Sequence, residues 1–358
     1  MGIFGRVPSA GGPGTSRRDR RQSGVRGRSK TVARRETEHR AQVIVLAGIV
    51  LTAIVILGVG VFGYYQTSIR PKQQTVLKVG DRSFSMSYVE KRIRYEIHNA
   101  APGELLQTNP QIAVVITVNT LVAEEINRIG AANENISVSE DEIDARIRQE
   151  LGVADSADQA TYADAYRKAV HDSGLSPDQY REVVASKLLE EKIRQNLRST
   201  IPATAEQVRI RDIQVSTQEE AQKVVDRLAA GEDFAALITE LSIDSATKDK
   251  GGEMGWMPKG ALETATGDAV FALEAGQWTQ PVSSASRGSY FVYQVEEKSP
   301  SMEVTTDQQS AIEDQSFANW QDATLSPVQI EQPYITDTEM QNHLVEIATK
   351  EGVTTTGQ

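Results

Sequence analysis

The chain has 358 residues, with 49 Asp and Glu against 38 Lys and Arg for a net charge of −11, and it contains no cysteine. That length accommodates two domains, and 39% hydrophobic with 24% charged residues is ordinary for globular protein. The absence of cysteine excludes disulfides, thiol chemistry and a lipid-modified cysteine as an anchor.

Residues 1–42 are rich in Gly, Ser, Pro and Arg, and ten basic residues from Arg17 to Arg40 face only Asp19, Glu36 and Glu38. This composition predicts a disordered basic tail. From Ala41 to Ile69 there is no charged residue, and Val43 to Phe62 is apolar or glycine apart from one threonine. About 20 such residues cross a bilayer core, so residues 43–64 are expected to form a transmembrane signal anchor. A buried core helix would show a polar face, and a cleaved signal peptide would have a shorter basic leader and an A-x-A site. Positive residues stay in the cytoplasm, so the expected topology is a single-pass cell-membrane protein with its amino terminus cytoplasmic and the rest extracytoplasmic. The tail's charge reads as a topology signal and as attraction to anionic lipid. Nucleic acid is not an expected partner, because the part beyond the membrane must be more acidic than the whole.

After a linker at 65–75, TVLKVGDRSFSMSYVEKRIRYEI predicts a short strand, a turn at Gly80-Asp81 and a helix. Pro110 to Ile129 predicts a core helix, its apolar run broken by Asn119, Glu124 and Glu125. Ser139 and Glu142 form a capping box ahead of Ile143, Ile147 and Leu151, with Gly152 as the stop. A helix from Ser176, with Pro177 in its first turn, runs to about Leu197. Residues 76–200 are thus expected to be an all-α domain.

At Val208 the period changes. VRIRDIQV alternates Val208, Ile210 and Asp212 on one face with Arg209, Arg211 and Ile213 on the other, as in a strand. Two helices follow, carrying Ala221, Val224, Val225 and Leu228, then Phe234, Leu237, Ile238 and Leu241 inward. A glycine loop, GGEMGWMPKG, leads to DAVFALEAGQWTQPV and a final strand from Ser289 to Glu297. The layout is α+β. Residues 299–358 offer helices near Asp307–Trp320 and from Thr336, neither able to stand alone.

The ordered set from Val208 to Val295 (first strand, GEDF turn, LSIDSATKDK loop, GGEMGW, DAVFAL, EAGQWTQPV) resembles a parvulin-type peptidyl-prolyl isomerase domain. The flanking helical segments are similar to the amino-terminal region of exported foldases of the SurA and PrsA kinds. The resemblance implies a parvulin domain at 203–298, an antiparallel sheet with surrounding helices, behind a SurA-like chaperone domain. It further implies isomerisation of X-Pro bonds in unfolded or proline-containing exported proteins, with no cofactor and no metal. The alternative is a catalytically weak or inactive scaffold acting as a holdase. Whether the molecules pair as a homodimer stays open.

By resemblance, Asp212 stands where the first family histidine is usual, and Asp244 where members carry Cys or Asp. Ser284 stands at a threonine hydroxyl, and Met254 and Leu262 in the floor of the proline seat. Thr266 replaces the usual phenylalanine, which makes the seat shallow. The second histidine falls at Tyr290 or Phe291, and Trp256 lies at the rim. Asp212 is either an exposed or edge-strand carboxylate, or a partly buried acid whose pKa rises because Asp244 is near. In the second case one aspartate stays protonated, donates a hydrogen bond to the substrate amide, and activity falls as pH rises.

Overall fold

The computed structural model describes residues 50–66, 70–100, 105–154 and 156–355. The expected basic tail at 1–42 and the first part of the expected membrane span, 43–49, lie outside the described residues. The chain divides into two units, residues 1–74 and 75–358.

In the first unit, residues 50–64 form helix α1 and Arg70–Gln73 a single turn, α2. The large apolar side chains of α1 from Val50 to Phe62 are 55–69% exposed. Among the described residues no helix is long and apolar enough to cross a membrane.

The second unit opens with β1 (Thr75–Val79) and β2 (Arg82–Ser85), an antiparallel hairpin turned at Gly80-Asp81. Then come α3 (Met86–Asn99), α4 (Leu105–Thr108), α5 (Pro110–Asn133), α6 (Glu140–Glu150), α7 (Gln159–Ser173) and α8 (Pro177–Ser199). The capping chemistry read from the sequence is in place: Ser139 with Glu142 starts α6, and Ser176 with Gln179 starts α8 behind Pro177. Next follow β3 (Thr204–Val215), α9 (Gln218–Ala229), α10 (Phe234–Leu241), β4 (Glu253–Pro258), α11 (Thr264–Phe271), β5 (Val282–Ser284) and β6 (Ser289–Glu303). The chain ends with α12 (Thr306–Leu325), β7 (Ile330–Glu331) and α13 (Thr338–Thr355).

The helical region is not all-α. β1 is the centre of a three-stranded antiparallel sheet of order β2-β1-β7. The sequence hides β2 because RSFS buries only Phe84, and hides β7 because two residues carry no periodicity.

The C-terminal segment is part of the same core. Tyr334, Met340, Leu344, Ile347 and Ala348 pack with Val76, Leu77, Ile93, Val118 and Leu121 in one apolar cluster. α12 approaches α5 so closely that a side chain at Gly130 would lie 2.4 Å from the Trp320 ring, which is why α5 carries glycine there. Phe317 of α12 packs with Ala131 and Ile193. The segment from β3 to β6 is therefore inserted between two halves of one domain, and α12 touches both. Its Gln308 amide donates to the Trp256 carbonyl of β4 at 2.7 Å and to Gln207 Oε1 of β3 at 2.8 Å.

Within the insert, an antiparallel sheet of order β4-β3-β6-β5 separates two apolar layers. Ile213, Val215 and Val292 face α9 and α10, while Val208, Ile210, Phe291, Tyr293 and Val295 face Leu262 and α11.

Because Leu344 is fully buried against α3 and α5, Leu344→Ala should destabilise the β1–α8 region by roughly 2–5 kcal/mol. Urea unfolding followed by amide exchange should show protection lost in α3 and α5 and kept in β3 and β6.

Candidate functional site

The site lies on the α11 face of the four-stranded sheet and is assembled by one loop that leaves β3's side and returns to it. Ser242 Oγ accepts from the Gln214 amide at 3.2 Å, and the Ile243 amide donates to the Gln214 carbonyl at 2.9 Å. Ten residues later the Gly252 carbonyl accepts from the Asp212 amide at 2.9 Å. Residues 242–252 are thus pinned to β3 at both ends, which holds Asp244 beside Asp212. Glycine is required at the return point. Gly252 has φ +75°, and a Cβ there would stand 2.7 Å from both the Asp212 carbonyl oxygen and Ile238. The double glycine therefore fixes the backbone of the candidate acid.

Asp212 is neither exposed nor on an edge strand. β3 runs between β4 and β6, Asp212 is 1% exposed, and its Oδ1 has no hydrogen-bond partner among the described residues. Its pKa is pushed up to about 6, first by burial and then by Asp244, against opposing effects of Thr247 and Arg287. Burial, rather than the neighbouring carboxylate expected from the sequence, is the main cause.

Asp244 is 6% exposed and fully engaged. Its Oδ1 accepts from the Ala246 amide at 2.8 Å, and its Oδ2 accepts from Arg287 Nη1 at 3.0 Å. Arg287, on the β5–β6 hairpin, also places its guanidinium 5.2 Å from the centre of the Phe291 ring. The sequence reading missed Arg287, since an arginine in a serine-rich turn carries no motif.

The Tyr290 or Phe291 ambiguity is resolved by the face each takes. Phe291 shares the Asp212 layer and is 2% exposed, whereas Tyr290 packs against the α9–α10 layer. Phe291 stacks on Tyr293 with centroids 5.5 Å apart, and burial pushes the Tyr293 phenol up to about 12 while the Thr266 hydroxyl opposes it. Tyr293 thus reaches the position that Thr266 leaves small. Leu262 is buried at 7% and Met254 is half-buried, both in this layer. Trp256 is half-buried but stands outside the apolar cluster, on β4 opposite Arg209. Ser284 is buried and committed elsewhere, donating to Glu263 Oε1 at 2.8 Å while accepting from the Arg287 amide at 3.3 Å. The structure therefore brings Asp212, Asp244, Met254, Leu262, Thr266 and Phe291 to one face, with Ser284 at its edge and Trp256 aside.

A second feature lies in the helical domain: a cavity of about 470 Å³ between α3, α5 and α8, lined among others by Arg92, Tyr95, Glu96, Glu124 and Lys187. Arg92 is 1% exposed and donates to Glu124 at 2.7 and 2.9 Å and to Glu96 at 2.8 Å. Burial opposes its charge, and the two carboxylates more than offset this, so its pKa is raised. Glu124 is itself raised by burial.

A buried acid, an apolar floor and a glycine-pinned loop thus lie together on one antiparallel sheet. Residues 202–296 match the PPIC-type PPIASE domain (rotamase) family, and residues 34–194 match the SurA-like N-terminal domain. Over these two segments the chain carries a PpiC-type parvulin domain and a SurA-like N-terminal domain. It is 44% identical over 77 residues to the foldase protein PrsA of Caldanaerobacter subterraneus subsp. tengcongensis, covering 22% of this chain and 25% of that one. It is 27% identical over 157 residues to the foldase protein PrsA of Oceanobacillus iheyensis, covering 41% of this chain and 52% of the relative. These matches span from a quarter to about half of the relatives' length. The crystal structure of the peptidylprolyl isomerase PrsA from Bacillus anthracis aligns at 19% identity over 64% of this chain and 94% of that one, with TM-score 0.37.

The raised Asp212 pKa has a signed consequence. Below about pH 4 the acid is protonated in folded and unfolded chains alike. Between about 4 and 6 only the unfolded chain releases the proton, so Asp212 costs stability as pH rises, and above 6 the cost is constant. Asp212→Asn should therefore gain stability relative to wild type from pH 4 to 6 and hold that gain above it, by at most about 3 kcal/mol. Parallel urea titrations at pH 4, 5, 6 and 7.5 measure this; a constant difference across the series would contradict the burial of a neutral acid.

Proposed function

We propose that this chain is a membrane-anchored extracytoplasmic foldase whose parvulin domain isomerises X-Pro bonds in exported, unfolded proteins. The observation that carries the reading is the buried, raised-pKa carboxyl of Asp212 on the same face as Met254 and Leu262. An X-Pro bond is held planar by amide resonance across a barrier of about 18–20 kcal/mol. In the twisted state that resonance is lost and the proline nitrogen regains a lone pair, which a protonated carboxyl can bind and the planar ground state cannot offer. A hydrogen bond made only at the top of the barrier accelerates the step, and one of about 1.5–3 kcal/mol corresponds to roughly 10- to 150-fold. Met254 and Leu262 would seat the proline ring, with Thr266, Phe291 and Trp256 around it. Asp212 would donate, and Asp244 and Ser284 would orient the groups about it.

Anchoring rests on the charge-free stretch from Ala41 to Ile69 and on the exposed apolar surface of α1, which water does not favour. With the arginine-rich leader inside, the two domains would face outward, where unfolded exported chains are the clients.

A second reading, a holdase that keeps the parvulin domain as a scaffold, is favoured by one observation. Asp212, Thr266, Ser284 and Phe291 are each at most 4% exposed, so a proline ring must displace neighbouring side chains to reach them. The cavity among α3, α5 and α8 and the α12–α13 return would then serve as the cradle.

Exchange NMR on a proline peptide with residues 70–358 separates the two. The isomerase reading expects weak catalysis, lowered about tenfold by Asp244→Ala or Met254→Ala and declining as pH rises past 6. Uncatalysed rates together with suppressed aggregation of an unfolded client would establish the holdase instead.

A further inference from the structure

We infer that Arg287 is a positioning residue: by holding Asp244 as the charged member of the aspartate pair, it leaves the shared proton on Asp212. The kinetic consequence rests on the isomerase reading above, but the placement of the proton does not.

The argument starts from what each oxygen is asked to do. Asp244 acts only as an acceptor, from the Ala246 amide through Oδ1 and from Arg287 Nη1 through Oδ2. A proton on either oxygen would oppose one of those contacts. Asp212 has the reverse environment. It is 1% exposed, its Oδ1 has no partner, and its contact with Asp244 favours the neutral form. Two adjacent buried carboxylates cannot both ionise cheaply, and the pair resolves toward the arrangement in which the better-partnered one carries the charge.

Arg287 is held where this requires. Its amide donates to Ser284 Oγ at 3.3 Å, the Gly288 amide closes the hairpin onto the Ser284 carbonyl at 3.0 Å, and its guanidinium lies over Phe291. The Ser284–Glu263 contact, which had no place in the proline seat, thereby acquires a role in fixing the hairpin that presents the arginine. Other groups also face Asp212 or its neighbours. Thr247 comes from the 242–252 loop, and Tyr293 comes from β6 with its phenol kept neutral by burial. Glu263, preceding α11, bears on Tyr293, and Lys248 spends its ammonium on the Ser242 carbonyl at 2.8 Å. Arg287 is thus the cation that discriminates between the two acids, and because it also lowers the Asp212 pKa, its loss raises proton affinity at the pair.

The test is a carbon-13 carboxyl titration of the full chain in detergent, with Asp212→Asn assigning the signal, on wild type, Arg287→Gln and Arg287→Lys. Wild type should show the Asp212 carboxyl titrating near pH 6. Arg287→Gln should move that midpoint up by about one unit, a tenfold gain in proton affinity, and divide the carboxyl change between Asp212 and Asp244, whereas Arg287→Lys should restore most of the wild-type midpoint and return the change to Asp212. An unmoved midpoint in Arg287→Gln, or equal behaviour of Gln and Lys, overturns the inference. So does a change confined to KM for peptides with an acidic residue before proline, which would make Arg287 a substrate contact. If the midpoint moves as expected and no isomerisation is detected at any pH, the proton assignment stands and the isomerase reading falls.

Discussion

The candidate site depends on one constraint: a carboxylic acid placed on the central strand of a four-stranded sheet, where water cannot reach it. An ionised carboxylate is expensive in such a place unless it is paired, so burial pushes the pKa of the acid up to about 6. Its backbone neighbours follow from the same demand. The amide of Asp212 needs an acceptor where the β3–β4 pairing is interrupted, and Gly252 supplies it from a conformation that side-chain-bearing residues rarely adopt. The double glycine thus has a local job that is independent of any catalytic assignment.

The sequence made the secondary structure of the insert legible because its signals are local. The alternation of VRIRDIQV and the stripes Val224, Val225 and Leu228 or Phe234, Leu237 and Ile238 require only neighbours along the chain. The sheet β2-β1-β7 was not legible, since its third strand is two residues long and lies 253 positions from its partner Lys78, where no periodicity operates. Likewise the site residues could be placed on a face, but burial could not be read. Asp212 as an edge carboxylate and Asp212 as a buried acid give the same alternating pattern, and only the position of β3 between β4 and β6 separates them. Arg287 was invisible for a related reason: its meaning comes from Asp244, 43 positions away.

The return of α12 and α13 to the first domain bears on how the two parts work together. A domain inserted between two halves of another is tied at both ends, so its orientation is set by the strands that enter and leave it rather than by a single flexible linker. Here β3 and β6 enter and leave side by side as a paired antiparallel ribbon, and α12 begins three residues after β6 ends. Gln308 in its first turn ties α12 to β3 and β4 at once, and Gly260, next to the Leu262 segment, packs on Ile312 one turn later. The helix that completes the helical core therefore also braces the strand carrying Met254.

That arrangement constrains what an acid at position 212 and an aromatic at position 291 can mean. A scaffold without catalytic demand would be free to bury Val or Leu at position 212, which avoids the desolvation of a carboxyl and the need for Asp244 and Arg287 to accommodate it. Keeping the acid costs stability above about pH 6, and Thr247 and Arg287 offset that cost only in part, with Oδ1 left without a partner among the described residues. Groups that are stabilised poorly by their own fold are commonly those whose partner arrives from outside. The fold alone is neutral between isomerase and holdase. The oxygen of Asp212 without a partner among the described residues is the feature that weighs toward a bound group, while the burial of Phe291 and Leu262 sets how far neighbouring side chains must move before any ligand can meet it.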